Sequence, residues 1–267
     1  MSVFFKIRLA LNEKRLLKTF RKKLYPYIKG LLLIFKNKKN QINLHITKLN
    51  KIDKSDLHLA ERIFSSYQKM KIEQKKKSDI YKPSSLWQKH IDKDFEFLVS
   101  CYKNGDIEKF LFFLQNFGNW DNYLGIEDQV LIKKYNKNPL LKNFLIKELI
   151  PGQFNLWKFF NKNSDTSELN MPSYGNQIGV KIDDNFMVLG SFSNDIYANN
   201  LINYCNNQEN KIVEIGGGYG KFAYYLLKKI KNFNYVDFDI PETLILAGYY
   251  LSKCFPKKKN FFYGEGQ

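Results

Sequence analysis

The stretch Lys211-Ile212-Val213-Glu214-Ile215-Gly216-Gly217-Gly218-Tyr219-Gly220 decides the fold class of this chain. Its first five residues read as a short, largely apolar run, which is typical of a buried strand, and four glycines follow within the next five positions. The apolar residues Phe222, Leu226 and Leu227 then predict a helix, and Tyr235–Asp239 predicts a second strand. A strand, a glycine-rich turn, a helix and a strand make a βαβ unit, so the sequence predicts an α/β fold with a parallel sheet.

The spacing of the glycines distinguishes between classes of nucleotide site. A dinucleotide fingerprint needs a small residue at the sixth place from Gly216, where this chain has Lys221. No Gly-Lys-Ser/Thr follows, so a P-loop is excluded. The pattern present is an acidic residue followed by glycines at alternate positions, namely Glu214, Gly216, Gly218 and Gly220, with Gly217 between them. A carboxylate at this point suits a cationic ligand and would repel a pyrophosphate.

A second carboxylate, Asp239, comes nineteen residues after Gly220 at the end of the second strand. In that position it can accept hydrogen bonds from both hydroxyls of a ribose. The ribose and the cationic amino and sulfonium groups of S-adenosylmethionine match the two carboxylates. The predicted cofactor site therefore consists of Glu214, Gly216, Gly217, Gly218, Gly220 and Asp239. Asp237 is expected to lie on the opposite face from Phe238 and to cap or solvate the sheet, outside this site.

The same residues resemble a known family. Val213–Gly220 resembles the first motif of the Rossmann-type methyltransferases, which use S-adenosylmethionine. Asp239–Thr243 is similar to the Asp-Leu-Pro segment that small-molecule O-methyltransferases place after their second strand. More narrowly, Asp237–Thr243, Ala247–Leu251 and Phe255-Pro256 resemble the bacterial sugar O-methyltransferases. The resemblance implies a partial Rossmann-type (class I methyltransferase) parallel sheet behind a mostly helical N-terminal region.

The resemblance covers about residues 95–267 and is clearest after residue 211. Upstream, Tyr174–Gly179 and the pair Tyr197-Ala198 are similar to the lead-in of that family, but Asn194-Asp195 stands where the family tends to have histidine. The family resemblance implies transfer of a methyl group from S-adenosylmethionine to the hydroxyl of a sugar or glycan acceptor in surface-polysaccharide synthesis.

No catalytic residue follows from the sequence. Methyl transfer to a hydroxyl needs in-line positioning and usually a general base. The three histidines lie in the first third of the chain, far from the glycine motif, and Tyr197 or Asp195 would be guesses. The histidines and cysteines lack the spacing of a metal site, so none is expected.

The chain after the motif is short, since 55 residues separate Ile212 from Gln267. A helix at Glu242–Cys254 and a third strand at Phe261–Tyr263 fit into it, whereas a doubly wound sheet needs roughly 150 residues. The second half of the sheet is therefore expected to be missing, and the 267-residue chain alone is expected not to catalyse methyl transfer. A catalytically inactive, truncated methyltransferase fragment is the first alternative function.

The positive charge of the chain is concentrated at its N-terminus. The formal net charge is +17, and residues 1–50 carry 13 Lys and Arg against one acid, Glu13. Of the 43 basic residues 39 are Lys, whereas base readout and bidentate phosphate contacts favour Arg. This composition argues against nucleic acid as a partner. A basic module that binds a membrane surface or nucleic acid, with a purely structural glycine turn, is the second alternative function.

Residues 9–24 predict an amphipathic helix with an apolar arc of about 100° opposite a basic face, ended by Pro26. The apolar run Leu31–Phe35 follows and is far shorter than a membrane span. Peripheral contact of residues 1–50 with an anionic membrane is one interpretation, and a helix packed on its own domain is the other. Removal of residues 1–50 is expected to leave the remaining fold intact. Three widely spaced cysteines favour a reducing compartment, so the expected location is the cytoplasm, at the inner face of the membrane in the first interpretation.

The rest of the chain divides into two expected regions. Residues 51–170 are predicted to be helical, with a helical hairpin over residues 95–114. Residues 171–267 are predicted to hold a β-hairpin around Asp183-Asp184, a helix capped within Ser193–Asp195, and the βαβ unit.

Overall fold

The structure is a computed structural model that describes residues 24–33, 42–79, 82–120, 127–205, 210–230 and 233–266. Over these residues the fold is α/β, mostly helical, with one antiparallel and one parallel sheet. The predicted amphipathic helix at residues 9–24 lies almost entirely outside the described residues. None of the described helices is long and apolar enough to cross a membrane.

Helices dominate the described residues up to Phe160. Helix α1 covers residues 24–32, and the helices that follow are α2 (Leu57–Lys76), α3 (Ser85–Asp94), α4 (Glu96–Asn104), α5 (Ile107–Asn116), α6 (Glu127–Asn136), α7 (Pro139–Phe144) and α8 (Ile150–Phe160). The predicted helical hairpin is confirmed as α4 and α5. Gly105 ends α4 in the left-handed conformation, and the Asp106 side chain caps α5 by accepting from the Lys109 N–H. Pro26 lies inside α1, so the prediction that it ends the helical pattern is wrong.

The antiparallel sheet contains β1 (Ile42–His45), β2 (Gly179–Ile182) and β3 (Asn185–Met187) in that order. The β2–β3 hairpin confirms the predicted one. Its two-residue turn, Asp183-Asp184, has positive φ at both positions, as a type I′ turn requires. Strand β1 was not predicted. It pairs along its full length with β2, and Ile42 is buried opposite Ile182. Removal of residues 1–50 would therefore delete a paired strand, contrary to the expectation that the fold would stay intact.

The second half of the chain contains the predicted βαβ unit. Helix α9 (Ser191–Ile202) leads into β4 (Asn210–Ile215), α10 (Lys221–Lys229), β5 (Phe233–Phe238) and α11 (Pro241–Cys254). Strands β4 and β5 are parallel and pair from Asn210 opposite Phe233 to Ile215 opposite Phe238. Helix α9 begins before the predicted cap because a turn from the Val188 carbonyl to the Ser191 N–H already starts it.

The predicted third strand at Phe261–Tyr263 is not formed. The Phe262 N–H donates to the Glu265 carboxylate, and Arg62 on α2 holds the same carboxylate with two hydrogen bonds at 2.9 Å. These contacts bind the segment to α2 and use the backbone donor that a strand would need.

Two buried cores hold these elements together. The first packs α2, α4 and α5 against α10 and α11 and is rich in aromatic rings. The second packs the antiparallel sheet against α8 and α9, with Trp157 and Phe192 among its buried side chains. Because α10 and α11 are embedded in the first core, the strand ends that precede them, at Ile215 and Phe238, are held in fixed positions next to each other.

Candidate functional site

The glycine turn between β4 and α10 has the backbone conformation that its sequence predicts. Gly216, Gly218 and Gly220 have φ of 79°, 61° and 88°, a region that residues with a Cβ rarely adopt. The Gly216 N–H donates to the Phe238 carbonyl at 2.8 Å, which continues the β4–β5 ladder by one residue. The chain then turns sharply, and Gly220 caps the N-terminus of α10.

The four glycines serve different purposes. A Cβ on Gly217 would lie 2.7 Å from the Asp237 carboxylate, and one on Gly220 would lie 3.1 Å from Leu251, so close packing alone accounts for the absence of a side chain there. A Cβ on Gly216 would meet nothing within 4 Å. Gly216 therefore leaves backbone facing open space at the end of the strand, where a ligand can approach it.

Three carboxylates gather around this turn. Glu214 and Asp237 are direct partners in the parallel ladder. Glu214 accepts a hydrogen bond from the Tyr235 hydroxyl. Asp239 accepts one from the Gly218 N–H at 2.9 Å and one from the Ile240 N–H at 2.7 Å. Among the described residues, no ion pair joins any of these three carboxylates to a lysine or arginine.

Asp237 lies beside the glycine turn, next to residues predicted for the site, and on the opposite face from Phe238 as expected. The Gly217 N–H donates to Asp237 Oδ1 at 3.2 Å, while Oδ2 is buried without a hydrogen-bond partner among the described residues. The signal was available in the sequence. Side chains alternate along a strand, so Tyr235, Asp237 and Asp239 share one face and Phe238 points to the other.

The carboxylates raise one another's affinity for protons. Burial raises the pKa of Asp237 to about 7, against the lowering effect of the hydrogen bond from Gly217, and the charges of Asp239 and Glu214 raise it further. Burial also raises the pKa of Glu214, partly offset by the hydrogen bond from Tyr235. A cation placed among these groups would stabilise their charged forms and supply the missing partner of Asp237. An anionic pyrophosphate would be repelled.

Tyr219 anchors the glycine turn to the rest of the molecule. Its ring is buried and packs edge-on against Tyr250 at 5.3 Å between centroids, and its hydroxyl donates to Gln177 Oε1 at 2.6 Å. The neighbours of Gln177 in the chain, Gly175 and Asn176, line a cavity of about 480 Å³ together with Asp56, Tyr174 and other polar residues. The hydrogen bond between Tyr219 and Gln177 thus ties the glycine turn to the segment that lines this cavity.

The other residues considered from the sequence have different positions. Asp195 is fully buried and binds Trp157 Nε1 at 2.7 Å and Lys229 Nζ at 2.9 Å, so it joins α8, α9 and α10 structurally. Tyr197 is exposed on α9. Among the described residues, no group of three or more His, Cys, Asp and Glu side chains could hold a metal ion.

The open backbone at Gly216 and the three carboxylates beside it are the features from which a function can be inferred. Three of the six residues predicted for the cofactor site, Glu214, Gly216 and Asp239, are among these features, and Asp237 is added to them. The predicted Gly217, Gly218 and Gly220 form the turn itself. Comparison of the chain with protein-family models, with curated proteins and with solved structures gives no match.

Proposed function

We propose that this chain carries the cofactor-binding unit of an S-adenosylmethionine-dependent methyltransferase of the Rossmann type, whose acceptor is a sugar hydroxyl in surface-polysaccharide synthesis. The observation that carries the proposal is the cluster of Glu214, Asp237 and Asp239 beside the open backbone of Gly216. A negatively charged site without a described cationic partner selects a cationic nucleotide over a pyrophosphate. The β4–α10–β5 unit would then be the start of the Rossmann-type sheet.

Each residue has a role in holding this cofactor. Asp239, at the end of β5, accepts the ribose hydroxyls, for which its present bonds to backbone N–H groups leave acceptor capacity. Glu214 and Asp237 face the cationic amino acid end, and the unpartnered Asp237 Oδ2 accepts from the ammonium group. Gly216 provides the surface on which the ligand lies. When bound, S-adenosylmethionine supplies an electrophilic methyl group on a sulfonium centre.

Asp237 couples cofactor binding to pH. Because its pKa is about 7, the carboxyl is partly protonated at neutral pH, and a bound cation favours loss of that proton. The site therefore gains negative charge as it binds a positive ligand. This coupling distinguishes the proposal from a structural role, in which Asp237 would simply stay protonated.

The proposed acceptor is supported by the family resemblance and by the polar cavity that Gly175 and Asn176 line. That cavity presents acids, amides and the half-exposed ring of Tyr174, a combination that suits a ligand rich in hydroxyl groups. The proposal includes a cytoplasmic location at the inner face of the membrane, and the three cysteines are unpaired. The general base is not assigned.

The test is a calorimetric panel of S-adenosylmethionine, S-adenosylhomocysteine and NAD against the full chain. We expect both sulfur nucleotides to bind and NAD to bind at least about tenfold more weakly, because its pyrophosphate meets the carboxylates. Tighter binding of NAD, or no binding of either sulfur nucleotide, would overturn the proposal. An exposed carboxylate change, Asp92→Asn on α3, is the control and should leave all three affinities unchanged.

A further inference from the structure

Helix α1 turns its apolar side away from the molecule. Its inner face is fixed by close packing, since a Cβ on Gly30 would lie 1.9 Å from the Leu140 carbonyl oxygen. Tyr25 packs edge-on against Phe144 at 5.8 Å between centroids, and the Lys147 ammonium donates to the Leu33 carbonyl at 2.8 Å. These contacts with α7 and the turn after it leave α1 no freedom to rotate its other side inward.

The outer face is a continuous apolar stripe. At 100° per residue its members fall within an arc of about 140°, opposite the buried residues Pro26 and Gly30. The stripe consists of Leu24, Tyr27, Ile28, Leu31 and Leu32, all of them exposed. Ile28, Leu31 and Leu32 are 54%, 55% and 70% exposed, so three large aliphatic side chains are placed in water on consecutive turns. Apolar patches of this kind mark surfaces that are covered in use.

The charge of the flanking sequence identifies what covers the stripe. Residues 21–39 contain seven basic residues and no acidic one: Arg21, Lys22, Lys23, Lys29, Lys36, Lys38 and Lys39. Lysine is depleted in the centres of protein interfaces, whereas anionic headgroups attract it beside an inserted apolar face. Tyr27, a member of the stripe, has the amphipathic ring found at the level of headgroups. The described part of α1 is about 14 Å long, too short to cross a hydrocarbon layer of about 30 Å.

We propose that α1 lies in the plane of an anionic lipid bilayer, with its apolar stripe inserted and the lysines around it on the headgroups. This places a membrane-binding surface on the described fold at α1 itself. The inference is independent of the methyltransferase proposal, since it uses none of the residues of the glycine turn. It also accounts for a local excess of positive charge that the nucleotide site does not use.

The experiment is flotation of the full chain with vesicles of phosphatidylcholine alone or with about one third phosphatidylglycerol. The variant combines Ile28→Ser, Leu31→Ser and Leu32→Ser, which shortens exposed side chains and leaves the packed face of α1 unchanged. We expect the wild-type chain to bind the anionic vesicles, added salt to weaken binding, and the variant to bind at least about tenfold less. Circular dichroism and thermal unfolding check that the variant is folded.

A matched control comes from a second exposed apolar patch. Leu156→Ser, Phe159→Ser and Phe160→Ser on α8 remove side chains that are 55% to 65% exposed, and this variant should bind within about twofold of wild type. Equal loss in both variants, unchanged binding of the α1 variant, or equal binding to neutral vesicles would overturn the proposal. Self-association of the wild-type chain without lipid, abolished by the α1 changes, would overturn it in favour of a protein interface.

Discussion

The two sheets of this chain differ in how far their apolar side chains are buried. In the antiparallel sheet, Val180 and Ile182 are fully buried in the core that α8 and α9 complete. In the parallel sheet, Ile215 is 87% exposed, and Phe238, its partner in the ladder, is exposed beside it. The inner face of that same sheet carries the carboxylates of Glu214 and Asp237.

One sheet of the chain is thus packed on its apolar side, and the other carries the proposed site. Each Å² of aliphatic surface that the antiparallel sheet buries stabilises the fold by roughly 25 cal/mol, so its strands increase the free energy of unfolding. The parallel sheet places like charges next to each other and leaves one apolar face in water, both of which cost stability. Parallel sheets are ordinarily covered on both faces. Like charges held next to each other are typical of a binding or catalytic site, which is the role proposed for the inner face of this sheet.

The largest predicted effect contrasts one isoleucine from each sheet. Ile182→Ala should lower the free energy of unfolding by about 2–5 kcal/mol, because it opens a cavity in a closed core. Ile215→Ala removes the same side-chain atoms at an exposed position and should lower the free energy of unfolding by less than about 1 kcal/mol. Urea unfolding of the two variants measures both values. Equal losses would contradict the contrast between the sheets.

The second prediction concerns the nucleotide site. Asp239→Ala should weaken binding of S-adenosylhomocysteine by about 1.5–3 kcal/mol, the magnitude of hydrogen bonds to a charged group. Calorimetry gives the affinity, with Asp92→Ala as an exposed control that should match the wild type. An unchanged affinity in the Asp239 variant would remove this residue from the site.

The third prediction is a smaller change in stability that depends on pH. The folded pKa of Asp237, about 7, lies above its ordinary value, so between pH 4 and 7 the folded chain binds more protons than the unfolded one. Stability should therefore fall as pH rises through this window. Asp237→Asn should flatten the fall and stabilise the chain at pH 8 by about 1–2 kcal/mol, allowing for solvent screening of a half-buried group. Chemical unfolding at pH 5 and pH 8 measures the effect, and a variant no more stable than wild type at pH 8 would contradict it.

Local patterns predicted much of the fold. The helical hairpin, the Asp183-Asp184 turn and the βαβ unit each follow from apolar spacing and from residues that tolerate positive φ. Strand β1 could not be predicted in this way, because it has only four residues and is stabilised by pairing with β2, more than 130 positions away in the chain. The absence of a strand at Phe262 likewise depends on contacts outside the apolar run Phe261–Tyr263. Arg62 is about 200 residues away in the chain, and Glu265 follows the run.

The candidate site was predictable in its glycines and in two of its carboxylates. Strand alternation places Asp237 on the face of Asp239, but its partial burial and its unpartnered oxygen depend on tertiary packing that the sequence does not show. The outward apolar stripe of α1 could not be read from the sequence either. Helical spacing identifies an apolar face but does not say whether that face or the one around Gly30 is packed inward.

The pH dependence of S-adenosylmethionine affinity tests the central claim most directly, because it asks whether the carboxylate cluster binds the cation. Titration calorimetry on the wild-type chain should give affinity about tenfold higher at pH 8 than at pH 6, since binding needs the ionised form of a group with pKa about 7. Asp237→Asn should bind more weakly and show no such rise. An affinity independent of pH in the wild-type chain, or the same rise in the Asp237 variant, would contradict the account.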